Sequence, residues 1–349
     1  MDYLKGKGAQ INTPNKFLNL SISTDETDGL DEEMVQQKPK TEVFKETPKK
    51  IISTNNSPDL GFYASVNPYQ GCEHGCVYCY ARNSHEYWGF SAGLDFETKI
   101  IVKPDAPKLL EKEFLKSSWK PKTVMLSGNT DCYQPLEKKL EITKRLLSVF
   151  NKYQNPVGII TKNSLITRDI DVLKELAQSN LVHVIFSITS LDEKLRQKLE
   201  PRTASAAKKL RAMEILSKVG VPVGVMNAPI IPGLTHHETP AILSSASNAG
   251  AVFAGYTVVR LNGQISKIFH DWLIKNFPDR AKKVWHQVQE LHGGNVNDSE
   301  FKRRIKGDGK VAEIIKKLFE VSRRKYFDDK TFPILETSHF RRGGSYNLF

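Results

Sequence analysis

The chain has 349 residues, 39% hydrophobic and 26% charged, enough apolar side chains to bury a sizeable core, which excludes a wholly disordered or collagen-like chain. Lys and Arg outnumber Asp and Glu by 51 to 39, a net charge of +12. Four cysteines are too few for a disulfide framework in a chain of this length, and Cys72, Cys76 and Cys79 crowd into eight residues, which points to metal or redox chemistry.

Residues 1–60 are poor in aromatics, rich in Asn, Thr, Ser and Pro, and hold no positive excess, so they predict a flexible arm up to about Leu60. The start lacks the apolar run of a secretory signal, and nothing later approaches the roughly 18 apolar residues of a spanning helix, so a soluble, cytoplasmic protein is expected.

From Gly61 a short Val/Ile-rich run, a polar tip and a longer amphipathic stretch recur. The runs are Ala64 to Pro68, Thr123 to Ser127, Val157 to Thr161, Val182 to Ile188, Val221 to Asn227 and Val252 to Arg260. Between them, Leu136 to Phe150 and Asp169 to Gln178 have helical spacing of apolar residues. Alternating strands and helices imply an α/β fold with a parallel sheet. A full eight-unit barrel takes about 250 residues, so the roughly 200 residues 61–262 predict a partial (β/α)6 TIM-like barrel. The strands end in Asn67, Ser127 to Asp131, Thr161-Lys162-Asn163, Ser187-Ile188-Thr189 and Met226-Asn227, the rim at which such folds assemble active sites.

Gly71-Cys72-Glu73-His74-Gly75-Cys76-Val77-Tyr78-Cys79-Tyr80-Ala81-Arg82 carries the spacing C-x3-C-x2-C. Three thiolates in so short a loop can wrap one inorganic cluster, with Gly71 and Gly75 allowing the tight turns. A four-iron cluster on three cysteines keeps one iron open. The alternatives are a closed Cys3His zinc site using His74, or unligated cysteines.

At these residues the sequence resembles the radical SAM superfamily, whose loop of this spacing follows the first strand of a partial barrel, with an aromatic at the position of Tyr78. Within it the chain is most similar to the spore photoproduct lyase group. Ser127 to Asp131, Thr161-Lys162, Phe186-Ser187-Ile188, Glu200-Pro201-Arg202-Thr203 and Val225 to Ile230 have counterparts there. The resemblance implies a 4Fe-4S cluster on Cys72, Cys76 and Cys79 that binds S-adenosylmethionine and cleaves it reductively to a 5′-deoxyadenosyl radical, which abstracts hydrogen from an unidentified substrate. Tyr78 and Tyr80 would stack on adenine, Thr130, Ser187 and Asn227 would meet the amino group and ribose, and Lys162 and Arg202 the carboxylate. Lys162 as a solvated loop lysine and Arg202 as a helix-start ion pair are the alternatives. In that group a cysteine before the Ser/Thr-Asp strand end returns hydrogen to the substrate radical. Here Gly128 holds that position. Cys132 would take the role from a displaced place, or be a buried inert thiol.

Past Asn262 the repeat stops. Residues 263–349 are expected to form a mostly helical, basic cap, with Phe269-His270-Asp271-Trp272 closing the open side of the barrel, and Thr235 and Glu238 are expected to cap a helix start. Residues 265–349 hold eighteen Lys and Arg against eleven Asp and Glu, with doublets at Arg303-Arg304, Arg323-Arg324 and Arg341-Arg342. They read as a solvated helix face, a docking surface for an acidic low-potential electron donor of the flavodoxin or ferredoxin type, or a nucleic-acid surface. A third class of function, a non-catalytic metal-binding module, also fits the loop.

Overall fold

The computed structural model describes residues 3–17 and 40–344. Its strands are β1 (Glu42–Lys45), β2 (Ile52–Thr54), β3 (Ala64–Val66), β4 (Tyr69–Gln70), β5 (Lys99–Val102), β6 (Val124–Leu126), β7 (Val157–Thr161), β8 (Val182–Ser187), β9 (Val223–Ile230) and β10 (Phe253–Val258). β3 and β6 to β10 pair in parallel in the order β10-β9-β8-β7-β6-β3, and β2 adds antiparallel to β3 at the edge. These six parallel strands are the six Val/Ile-rich runs of the sequence. No pairing joins β2 to β10 among the described residues, so the barrel is open. A small sheet, β1-β5-β4, flanks it.

Strand alternation sorts the side chains. Val124, Leu126, Val157, Ile159, Val184, Phe186 and Val225 bury themselves under helices that supply Leu146, Leu147, Phe150, Leu173, Leu216 and Ile242. Met125, Ile160, His183, Ile185 and Met226 face the other way and are only partly buried. Truncating one core side chain such as Leu146 costs about 2–5 kcal/mol.

The single helix expected from Leu136 to Phe150 is two, Glu137–Leu140 and Ile142–Tyr153, broken at Glu141, whose φ is 50°. The cause is Glu137, whose carboxylate accepts from the Ile142 and Thr143 N–H groups at 3.1 Å and so starts the second helix.

The arm expected up to Leu60 is not an arm where it is described. Gly8 and Ala9 donate to the Glu97 carboxylate, and β1 and β2 join the sheets. Asp59 accepts from the Arg304 guanidinium at 2.5 Å and from the Lys302 N–H, bridging the open side of the barrel. Residues 1–2 and 18–39 of the expected arm, and 345–349 of the basic extension, lie outside the described residues.

The extension does two things. Helices Ile265–Asn276 and Pro278–Glu290 place Ile265, Phe269, Trp272, Val284 and Val288 in a second core with Cys76, Val77 and Tyr78, so the cap packs on the cysteine loop. Phe332 lies against the rings of His183 and Phe253 at 3.9 and 4.9 Å, and Arg341 and Arg342 bond the Tyr153 and Trp119 carbonyl groups. The chain end thus crosses the barrel opposite the rim. The expected Thr235–Glu238 box does not form: Thr235 accepts from the Ile231 N–H, and Glu238 accepts from the Leu191 N–H and the Ser190 hydroxyl. Glu238 therefore ties down the turn after β8 instead.

Candidate active site

The cysteine loop leaves β3 through β4 and turns at Gly71 (φ 79°) and Gly75 (φ 69°). Cys72 and Cys76 are buried and Cys79 half-buried. Burial pushes all three thiols up, and Cys72 feels both neighbouring cysteines. Thiolates in such a place would need a cationic partner such as a bound metal.

A fully buried arginine braces the loop. Arg82 donates Nε to the Cys76 carbonyl at 2.8 Å, one terminal nitrogen to the Ala92 and Gly93 carbonyls, and the other to Glu97 at 2.5 Å. Glu97 in turn accepts from Gly8 and Ala9 at 3.0 and 2.7 Å. The only sequence sign of this brace is the small-residue run Gly6-Lys7-Gly8-Ala9, set in a stretch whose composition looks disordered.

The zinc alternative does not fit. His74 Nδ1 is 3.4 Å from Asp131 and its Nε2 is 3.3 Å from the Asn163 amide nitrogen. Among the described residues no three His, Cys, Asp or Glu side chains gather closely enough for one ion, whereas zinc needs four donors within about 2.0–2.3 Å. The thiols of a four-iron cluster bind separate irons and stand farther apart. Two buried cysteines and a half-buried one, with both ring nitrogens of His74 engaged elsewhere, suit that group.

Beside the loop the tips of β7, β8 and β9 meet. Lys162 Nζ lies within hydrogen-bond distance of Ser187 Oγ (2.9 Å), Thr189 Oγ1 (3.2 Å), Glu200 Oε1 (2.9 Å) and the Ala228 carbonyl oxygen (3.2 Å). The Tyr78 hydroxyl donates to Glu200, and Lys209 reaches its other oxygen at 3.3 Å. Burial alone would raise the Glu200 carboxyl, but the two lysines outweigh it and hold it well below the usual carboxylate range. Burial would lower Lys162, yet Glu200, Cys76 and Asp131 together keep it raised. Lys209, Glu200 and Asp131 were not singled out by sequence as a set, because their convergence is a property of three separate elements.

Other expected residues lie elsewhere. Arg202 donates to Glu73 at 3.1 Å, and its backbone N–H to the His74 carbonyl, so it grips the cysteine loop instead of joining Lys162. Thr130 gives its hydroxyl to the Tyr69 carbonyl at 2.6 Å, and Asn227 is buried between the Ile188 carbonyl and the Thr239 hydroxyl. Their polar groups are therefore engaged within the fold. Tyr80 stays 53% exposed, its hydroxyl 2.8 Å from the Gly128 carbonyl oxygen. Cys132 is fully buried in the main core with Tyr69 and Tyr133. At Gly128 a Cβ would come within 2.6 Å of Ser65 Cβ, so a side chain there has no room. His270 packs edge-on against Trp285 and Asp271 pairs with Lys275, a structural pairing.

Of the basic doublets, Arg303 pairs with Asp298, Arg304 with Asp59, and Arg342 bonds backbone carbonyls; Arg323 and Arg324 are exposed. Among the described residues no helix is long and apolar enough to cross a membrane.

Six parallel strands with three cysteines after the first of them define the fold class, and comparison gives the family. Residues 66–246 match the sequence profile of the radical SAM superfamily. The chain belongs to that superfamily, whose members use S-adenosylmethionine and a 4Fe-4S cluster. It is 32% identical over 230 residues to an uncharacterised protein of Mycobacterium tuberculosis, covering 65% of this chain and 68% of that one. With an uncharacterised protein of Methanocaldococcus jannaschii it shares 27% over 240 residues, 69% and 85% of the two chains. In fold it is similar to spore photoproduct lyase complexed with dinucleoside spore photoproduct, at a TM-score of 0.61 and 13% identity over 82% of this chain and 79% of that one.

Proposed function

We propose that the chain is a radical SAM enzyme in which Cys72, Cys76 and Cys79 hold the cluster and the β7–β9 tips hold S-adenosylmethionine for hydrogen abstraction from an organic substrate. The observation that carries this reading is the placement of three clustered cysteines, two buried and one half-buried, beside a charged, hydroxyl-lined rim at Lys162. When bound, the cluster and S-adenosylmethionine supply a 5′-deoxyadenosyl radical on one-electron reduction. Lys162 binds the carboxylate, Ser187 and Thr189 orient the polar end, and the exposed face of Tyr80 takes the adenine. Arg82 and Glu97 keep the loop rigid, and the helical cap keeps water from it. Cys132, enclosed in the core, is left to packing.

The electron comes from a low-potential donor of the flavodoxin or ferredoxin type, in the cytoplasm. Exposed Arg323 and Arg324 favour a second reading, in which the substrate is a nucleic acid. Salt-dependent DNA or RNA binding lost in Arg323→Ala/Arg324→Ala supports it, and no binding at low salt removes it.

Anaerobically reconstituted protein given dithionite and S-adenosylmethionine is expected to release 5′-deoxyadenosine, and Cys76→Ala to release none. Deuterium passing from a candidate substrate into that product identifies the substrate. No deoxyadenosine from cluster-loaded protein overturns the reading.

A further inference from the structure

We propose that Lys209 and Glu200 form a buried positioning pair that keeps the charge of Lys162 available to an anion at the strand tips, the carboxylate of S-adenosylmethionine; the inference rests on the function proposed above. Lys209 stands in the first turn of the helix Ala206–Lys218 and is almost wholly buried. Its Nζ lies 3.3 Å from Glu200 Oε2 and 3.2 Å from the Ser187 carbonyl oxygen. Glu200 Oε1 accepts from Lys162 at 2.9 Å, from the Thr189 hydroxyl at 2.6 Å and from Tyr78.

One carboxylate therefore lies between two ammonium groups. The side chain of Lys209 is 2% exposed and that of Lys162 16%, so the inner lysine balances Glu200 and the outer one faces the rim. With Glu200 balanced from inside, Lys162 is fixed in place by Glu200, Ser187, Thr189 and the Ala228 carbonyl without being neutralised. The other nearby acid makes no hydrogen bond to the Lys162 ammonium: Asp131 accepts from the Thr161 hydroxyl and the Lys162 and Tyr133 N–H groups and lies against His74. Without Lys209, Lys162 and Glu200 become a closed neutral pair with little attraction for a second carboxylate.

The test is equilibrium dialysis of labelled S-adenosylmethionine against cluster-loaded, full-length protein, with iron content measured in parallel. Lys209→Met is expected to weaken binding about tenfold at unchanged iron, the order of one lost charge contact, and Lys209→Arg to recover most of it. Adding Glu200→Gln to Lys209→Met is expected to restore binding, because it frees Lys162 again. A merely structural pair predicts no such rescue. Should Lys209→Met fail to fold, Lys209→Gln, which retains a hydrogen bond to Glu200, carries the same expectation. Wild-type binding with every variant within twofold of it, or a double variant that binds no better than the single one, overturns the inference alone. Wild-type protein that holds a cluster but binds no S-adenosylmethionine overturns the proposed function and this inference with it.

Discussion

Gly8 lies so close to Gly75 that a methyl group added at Gly8 would stand 1.7 Å from the Gly75 carbonyl oxygen. The N-terminal segment is thus the outer wall of the cysteine loop, held there by two hydrogen bonds to Glu97. Gly8→Val is expected to lift this segment off the loop. The reconstituted cluster should then bleach in air several-fold faster than in the wild type, followed by its visible absorbance. Equal bleaching rates would show that the segment is no shield.

Arg82 is expected to be the most costly of the loop's supports to lose. It is fully buried, and Arg82→Met strands the buried Glu97 carboxylate, a loss of about 3–5 kcal/mol. Urea unfolding of the cluster-free chain measures this. A change below about 1 kcal/mol would mean that the ion pair relaxes without loss.

Cys132→Ala separates packing from chemistry. The thiol is fully buried in the main core, so its removal should lower stability by about 1–2 kcal/mol while deoxyadenosine formation per cluster stays at the wild-type level. Loss of deuterium-labelled product turnover in Cys132→Ala, at unchanged stability, would instead restore it as a hydrogen donor.

Much of the fold was legible in the sequence because the parallel strands read as short Val/Ile runs, and all six coincide with strands to within a few residues. The cysteine loop was legible because its chemistry is local in the chain. Partners brought together from afar were not. Arg202 reads as a ligand for a carboxylate, and it finds one in Glu73, more than a hundred residues earlier. Thr130 and Asn227 carry suitable polar groups, but neighbouring backbone and Thr239 take them up. The N-terminal segment has a disordered composition, yet Gly8 lets it pack against Gly75 where a larger side chain cannot.

Acid sensitivity follows from two histidines, His85 buried and His183 partly buried. Burial holds His85 and His183 at about 4, below the ordinary 6.5. Between those values the unfolded chain binds protons that the native one does not, so stability rises with pH from about 4 to 6.5 and is lost as pH falls through that window. His183→Phe, which keeps a ring against Phe332 and Phe253, should reduce the slope of melting temperature against pH there. An unchanged slope would assign the sensitivity to other groups.

The most direct measurement is the EPR spectrum of the anaerobically reconstituted, dithionite-reduced protein with and without S-adenosylmethionine. A reduced 4Fe-4S signal whose g-values move when S-adenosylmethionine is added, and which is absent in Cys72→Ala, is the predicted result. Protein that takes up no iron–sulfur cluster, or a cluster signal indifferent to S-adenosylmethionine, would contradict the account.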